Sequence, residues 1–421
     1  MQKLMILMIT GMWTFVLCAQ SPPVLTLEEC IHRAEQNSYR LQAGEYEITA
    51  RENASSLAKS LAIPKIGGEL ATENRFLQPY YFNQAWASVH ADWSLGDLIM
   101  KTGRSAAQDI ETRRLENEQN RLDVMGRSTS LYMSVLQVKK QIEILKARLR
   151  FLELHHQLTQ GLWKAGVRSQ LDVLQTESAM VRIQEDTARL DIVRKNLQNE
   201  LAYLLGWENT DSLNLAKISV DSIAGLPVPP VSSQSLADNP ILASYDSRVK
   251  AQRFRTNEMA ADHIPHVMLG SGYVGDGDPT GDGNYWRIDA GVVIPIYSGR
   301  ALVYQKHGSE AMAASLDAQR NEIERELMIH LVKVHEKLVK LKDLLTLQNQ
   351  RHSISSRAVG FAEMNYKAGI STNLDYLSAQ QQLTDTELAI EETRLEYTMN
   401  LIEYYIATNQ VENIIALGNN P

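Results

Sequence analysis

Trp163-Lys164-Ala165-Gly166-Val167-Arg168-Ser169-Gln170-Leu171-Asp172-Val173-Leu174 returns later in the chain as Tyr366-Lys367-Ala368-Gly369-Ile370-Ser371-Thr372-Asn373-Leu374-Asp375-Tyr376-Leu377. The offset is about 202 residues, and it also carries Asn37 onto Asn239, Ile63-Pro64 onto Ile264-Pro265, and Gly96 onto Gly299. Four anchors in one register over most of the chain mean duplication. Each half must therefore fold as the same unit, and a feature present in both halves outweighs one present once.

Working outward from the doubled stretch, a long helix precedes each copy, from about Asp97 to Lys164 and from about Gly299 to Lys367. At 1.5 Å per residue each is roughly 100 Å long. Leu131, Val135, Val138, Ile142, Leu145, Leu149 and Leu152 step by alternating fours and threes, as do Leu327, Leu331, Val334, Leu338, Leu341 and Leu345. A sustained period of 3.5 is a coiled-coil seam. Lys-Ala-Gly then ends each helix, with the glycine as left-handed stop, and a returning helix runs back to Leu205-Gly206-Trp207 or to Ala407-Thr408.

Ahead of the long helices lie β sections. Trp286, Ile288, Ala290, Val292, Ile294 and Ile296 share one face of a strand while Arg287, Asp289 and Gly291 share the other. Ala85, Ala87, Val89, Ala91, Trp93 and Leu95 alternate with Trp86, Ser88, His90 and Asp92 in the same way. Partner strands fit Ile66 to Arg75 and His266 to Val274. Each half thus carries one hairpin with an apolar and a polar face, the pattern of a transmembrane barrel strand. Opening helices, the first with a Thr26/Glu29 capping box, should stop near Pro64 and Pro265.

The division that follows is a signal peptide at 1–20, a first repeat at 21–208, a linker at 209–235, a second repeat at 236–410 and a tail at 411–421. The hairpins fall at about 65–96 and 265–298, and the tip turns at about 164–170 and 367–373. Lys3, the apolar Leu4 to Leu17 and the exit Ala19-Gln20 form a secretory signal. Acylation of Cys18 is the alternative, although Leu17 stands where a small residue is wanted. Once the signal is removed only Cys30 remains, so no intrachain disulfide can form. With a net charge of −8 the chain is no nucleic-acid partner.

Four strands cannot close a barrel, and an open sheet edge is not tolerated in lipid. The chain must pool strands with copies of itself, eight in a dimer or twelve in a trimer. At this point it resembles the TolC family of outer-membrane efflux proteins across the whole mature sequence. The resemblance rests on the tandem repeat, the order helix, hairpin, long helix, turn and returning helix, the strand exit Ile294-Pro295-Ile296-Tyr297-Ser298-Gly299-Arg300 with its weaker counterpart Trp93-Ser94-Leu95-Gly96-Asp97, and the doubled turn. It implies a mostly α fold with β: a tandem-duplicated protomer of a trimeric twelve-stranded outer-membrane β-barrel continued by a long periplasmic α-helical barrel.

The resemblance also implies partners and a gate. A periplasmic adaptor and an inner-membrane pump would meet the tip turns, here Lys164, Gly166, Val167, Arg168 and Ser169, and Lys367, Gly369, Ile370, Ser371 and Thr372. Acidic residues after the second turn line the family's constriction; Asp375 matches one such position, and Ser378 replaces the other. The family's locking base falls at Ser371, whereas its acid is retained as Asp172. The alternative for Asp172 and Asp375 is stabilisation of a helix N-terminus. The halves disagree where Arg168 faces Ser371, Gln170 faces Asn373 and Glu177 faces Gln380, the first and last of these in charge.

Other motifs dissolve on inspection. Gly270-Ser271-Gly272-Tyr273-Val274-Gly275 imitates a dinucleotide fingerprint, but a turn and a strand follow where a helix is required. Asp276, Asp278, Thr280, Gly281 and Asp282 imitate a calcium loop whose twelfth position is Arg287 instead of Glu. His155-His156 and His330/His335 lack metal-ligand spacing on a helix. No cofactor site and no catalytic constellation is expected, and the resemblance implies passive, gated conduction as the exit duct of an efflux or type I secretion system. The rival is a periplasmic coiled-coil scaffold or adaptor without a pore, which has no need of two alternating hairpins.

Overall fold

The computed structural model describes residues 24–419 apart from 61–62, 78–79, 102, 208–212, 219, 233, 277–283 and 298. The signal segment with Cys18 and most of the calcium-like loop lie outside the described residues. The order is β1 (Val24–Leu25), α1 (Leu27–Asn37), α2 (Tyr39–Ser60), β2 (Lys65–Leu77), β3 (Tyr80–Ser94), α3 (Leu95–Met100), α4 (Arg104–Lys164) and α5 (Gln170–Leu204). After β4 (Asn214–Leu215) and α6 (Val220–Gly225) come α7 (Pro240–Glu258), β5 (His266–Asp276), β6 (Tyr285–Val293), α8 (Ala301–Lys367), α9 (Asn373–Ala407) and α10 (Val411–Ala416).

The two seams hold the long helices. Leu131, Val135, Val138, Ile142, Leu145 and Leu152 are buried on α4, as are Leu331, Val334, Leu338, Leu341 and Leu345 on α8. With 61 and 67 residues, α4 and α8 are about 90 and 100 Å long. The returning helices have 35 residues each and cover only part of that length. The remainder is covered by α2 and α7, which begin where α5 and α9 end. At each junction an asparagine amide donates to a last-turn carbonyl, Asn37 Nδ2 to Leu205 O at 3.0 Å and Asn239 Nδ2 to Ala407 O at 2.9 Å. The doubled asparagine thus splices two short helices into one long one. Gly206, left-handed at φ 63°, lies so close to Asn37 that a Cβ would come within 2.8 Å of its side chain.

Several boundaries differ from the expectation. The opening segment of the first half is two helices broken at Ser38, ending at Ser60 before Pro64. In the second half α7 ends at Glu258 and a 3-10 turn, Met259–His263, fills the gap to Pro265. The first long helix starts at Arg104, because the left-handed Gly103 (φ 72°) separates it from α3. Gly96 and Gly299 share a register but not a role. A Cβ on Gly96 would lie 2.0 Å from the carbonyl oxygen of Ala261, whereas Gly299 has φ 65° and open space. Strand β6 stops at Val293, short of Tyr297, since Pro295 has no N–H for a ladder. The segment between the repeats is a strap: β4 pairs parallel with β1, and Leu226 O accepts from Tyr397 OH (2.9 Å) and Lys342 Nζ (3.1 Å). Cys30, Ile414 and Leu417 complete the core beneath it.

The sheet is antiparallel in the order β2-β3-β5-β6. Its register aligns Leu70, Ala87, Tyr273 and Trp286 in one row and Ile66, Ala91, Leu269 and Ala290 in another on the same face. Glu69, Ser88, Gly272 and Arg287, then Gly67, His90, Gly270 and Asp289, make the rows of the opposite face. Ile66, Leu70, Trp286 and Ile288 are exposed, while Arg287 Nε pairs with Asp289 Oδ2 at 2.9 Å on the polar side. The alternate glycines of the false fingerprint therefore belong to strand β5, with Gly270 and Gly272 beside His90 and Ser88. Among the described residues no strand pairs with the outer side of β2 or of β6.

Candidate functional site

The far end of the molecule is built from the two turns. Each is the same left-handed glycine stop, at φ 72° for Gly166 and 77° for Gly369. Val167 N and Arg168 N donate to Leu162 O at 2.9 and 3.3 Å, and Ile370 N and Ser371 N donate to Asn365 O at the same two distances. The backbone of the duplicate is thus reproduced bond for bond. Val167 and Ile370 stand at the apex, 65% and 76% exposed. Lys164 is exposed at the end of α4, and Lys367 pairs with Glu363 at 2.6 Å.

Side chains break the symmetry. In the second turn Thr372 and Asp375 form a complete capping box: Asp375 N donates to Thr372 Oγ1 (3.2 Å) and Thr372 N to Asp375 Oδ2 (2.9 Å). Bonds from the Thr372 hydroxyl and then its amide hold the Asp375 carboxyl below the usual carboxylate range. Asp375 therefore takes the capping role offered by its position. Ser378 is exposed one turn further along α9. In the first turn Asp172 does not cap the backbone. It accepts from Ser169 Oγ at 3.1 Å and, at the outer limit of a hydrogen bond, from Tyr366 OH at 3.5 Å.

Arg168 ties the turns together. Its Nη2 donates to Tyr366 O at 2.7 Å and Ser371 O at 3.2 Å, and its guanidinium lies 4.5 Å from the Tyr366 ring centroid. Ser371 carries no charge, and Arg168 from the opposite turn reaches its carbonyl. Burial, then Asp172, pushes the Tyr366 hydroxyl up to about 12.

Behind the clasp is a polar hub around His155, which spacing alone does not mark as a site. His155 is buried between Tyr366 and Tyr376, with ring centroids 5.1 and 4.2 Å away, and its Nε2 meets Asn373 Oδ1 at 2.7 Å. Asn373 Nδ2 donates to Asp172 O at 2.9 Å and to Thr176 Oγ1 at 3.3 Å. One amide thus bonds to α4 and α5 from the first residue of α9. Burial is the main cause holding His155 below the ordinary histidine value. The signal was available, since His155 and Thr159 follow Leu152 in three-then-four steps and continue the seam. His156 pairs with Glu177 at 3.0 Å and His330 with Glu403 at 3.1 Å. Among the described residues no cluster of His, Cys, Asp or Glu could hold a metal ion, and no helix is long and apolar enough to cross a membrane.

An outer membrane efflux protein family model matches residues 30–207 and, a second time, residues 231–410. The chain belongs to that family. It is an outer-membrane efflux channel with a periplasmic helical extension, a conduit and not an enzyme. Over 385 residues it is 25% identical to the pyoverdine export outer membrane protein OpmQ of Pseudomonas putida, spanning 85% of this chain and 80% of that protein. Crystal structures of CusC superpose with a TM-score of 0.77 at 16% identity, over 91% of this chain and 92% of that one. VceC from Vibrio cholerae gives 0.74 at 15% identity, over 91% and 95%. The open state of MtrE from Neisseria gonorrhoeae gives 0.76 at 15%, over 91% and 88%. At these identities the superpositions speak for the fold.

Proposed function

We propose that three copies of this chain form one closed channel, that a periplasmic adaptor and an inner-membrane pump engage its tip, and that the tip is its gate. The observation that carries this reading is a four-stranded sheet, apolar on one face, with two free edges: three such sheets supply the twelve strands of a barrel. The division into signal peptide 1–20, repeats 21–208 and 236–410, joining segment 209–235 and tail 411–421 belongs to the same reading.

In this account Asp375, Ser378 and Asp172 surround the periplasmic aperture. Lys164, Gly166, Val167, Arg168 and Ser169, with Lys367, Gly369, Ile370, Ser371 and Thr372, meet the adaptor. Apolar Val167 and Ile370 at the apex favour a protein contact there. The Arg168 clasp holds the second turn against the first and must release before the pore widens. Pyoverdine export by the Pseudomonas relative makes pyoverdine the first cargo to assay. Native mass spectrometry of the detergent-extracted protein tests the assembly: the expected mass is three chains, with further mass when adaptor is added. A single chain that takes up no adaptor overturns the proposal.

A further inference from the structure

Where the strap between the repeats crosses α4 and α9 it leaves a cavity of about 330 Å3. Leu136, Leu215 and Ile218 give the cavity an apolar wall. The Tyr132 hydroxyl donates to Ala216 O at 2.8 Å and fixes the strap on α4, so the space is built into the fold.

The polar lining is left incomplete. Gln137 on α4 is 6% exposed, and its side-chain amide has no hydrogen-bond partner among the described residues. Lys139, Lys140 and Lys217 line the same space, and none of them pairs with a carboxylate among the described residues. Two acids stand against these three ammonium groups. Glu391 is held by Arg394 at 2.6 Å, which leaves Glu143 as the unpaired one. Burial, then the charge of Arg194, holds Lys139 below the ordinary lysine value, the direction expected of an ammonium that lacks an anion.

Each part of this lining calls for a particular group. Surplus ammonium groups call for a carboxylate. A buried amide without a partner is costly, and it is completed by a group that both donates and accepts, as a peptide bond does. The apolar wall takes an aliphatic side chain, and the volume is that of a small-ligand site that excludes a folded partner.

We propose that this cavity binds the end of a short peptide, with the terminal carboxylate at Lys139 and Lys217, the last peptide group on Gln137 and an aliphatic last side chain against Leu136 and Ile218. Such a site needs neither a trimer nor an adaptor. Lys139 is 27 residues before Gly166, which puts the site roughly 40 Å from the tip turn.

Isothermal titration calorimetry on the full-length protein in lipid nanodiscs tests this, with N-acetyl-Ala-Leu bearing a free carboxylate as the probe. The carboxamide of the same peptide should bind about tenfold more weakly, the loss of one charge-assisted contact. Lys139→Gln and the exposed Lys217→Gln should each weaken the free acid by about the same factor, while Lys195→Gln on α5, outside the cavity, should bind as wild type does. Octanoate, which has a carboxylate and an aliphatic chain but no peptide group, should bind about tenfold more weakly than the peptide, and Gln137→Leu should erase that difference. Equal binding of acid and carboxamide, wild-type binding by Lys217→Gln, or no binding of the acid at millimolar concentration would overturn the carboxylate site. Octanoate that binds as tightly as the peptide would overturn the assignment of a peptide to it.

Discussion

Arg168 is the residue that ties the two tip turns together, and so the one on which the proposed gate depends. It is half-buried and bonds to backbone carbonyls, so no single acidic substitution in the second turn releases it. Replacing it removes two charge-assisted hydrogen bonds and a ring contact, worth about 1 kcal/mol after allowance for solvent. Arg168→Ala should therefore raise the open fraction about fivefold, read as greater uptake of a large antibiotic by cells carrying the variant; unchanged uptake removes the clasp from the gate. Asp375 poses a different question, because it caps α9 and, in the proposed gate, is also the acid at the aperture. Its lowered pKa keeps it ionised at neutral pH, and its stabilising contribution is lost only as the pH falls below the ordinary 3.8. Asp375→Asn should thus reduce cation preference in single-channel recordings. Unchanged selectivity would leave it as a helix cap alone. The sequence announced this charge asymmetry by setting Arg168 against Ser371, but not its direction. That depends on which side chain crosses between turns, a contact 198 residues apart.

At the scale of elements the seams were legible and the splices were not. Alternating fours and threes picked out residues that are buried on α4 and α8, because a 3.5 period is a direct image of helix packing. Leu338 is fully buried in that seam. Leu338→Ala should cost about 2–5 kcal/mol, measured as a lower denaturant midpoint; an unchanged midpoint would mean that the seam does not carry the stability of the helical section. The break at Ser38 escaped because it goes with a partner from elsewhere in the chain, the Leu205 carbonyl that Asn37 finds. The hub at His155 was missed for a related reason: a polar residue at a seam position resembles a surface residue until its Asn373 partner is in place.

At the scale of the whole molecule, the duplication matters because it puts two hairpins at one end and two turns at the other. The sheet has an apolar face, a polar face and two outer strands, and about 90–100 Å of helix separates it from the tip turns. The two faces of the sheet and the length of helix are legible in periodicity, since a barrel and a coiled coil both repeat. What periodicity does not carry is how many copies close the ring. The most direct measurement is planar-bilayer recording with the purified, detergent-extracted protein. A gated channel gives discrete, long-lived conductance steps that increase when Arg168 is replaced by alanine. Protein inserted at saturating concentration that gives no steps, from wild type or from Arg168→Ala, would contradict the account.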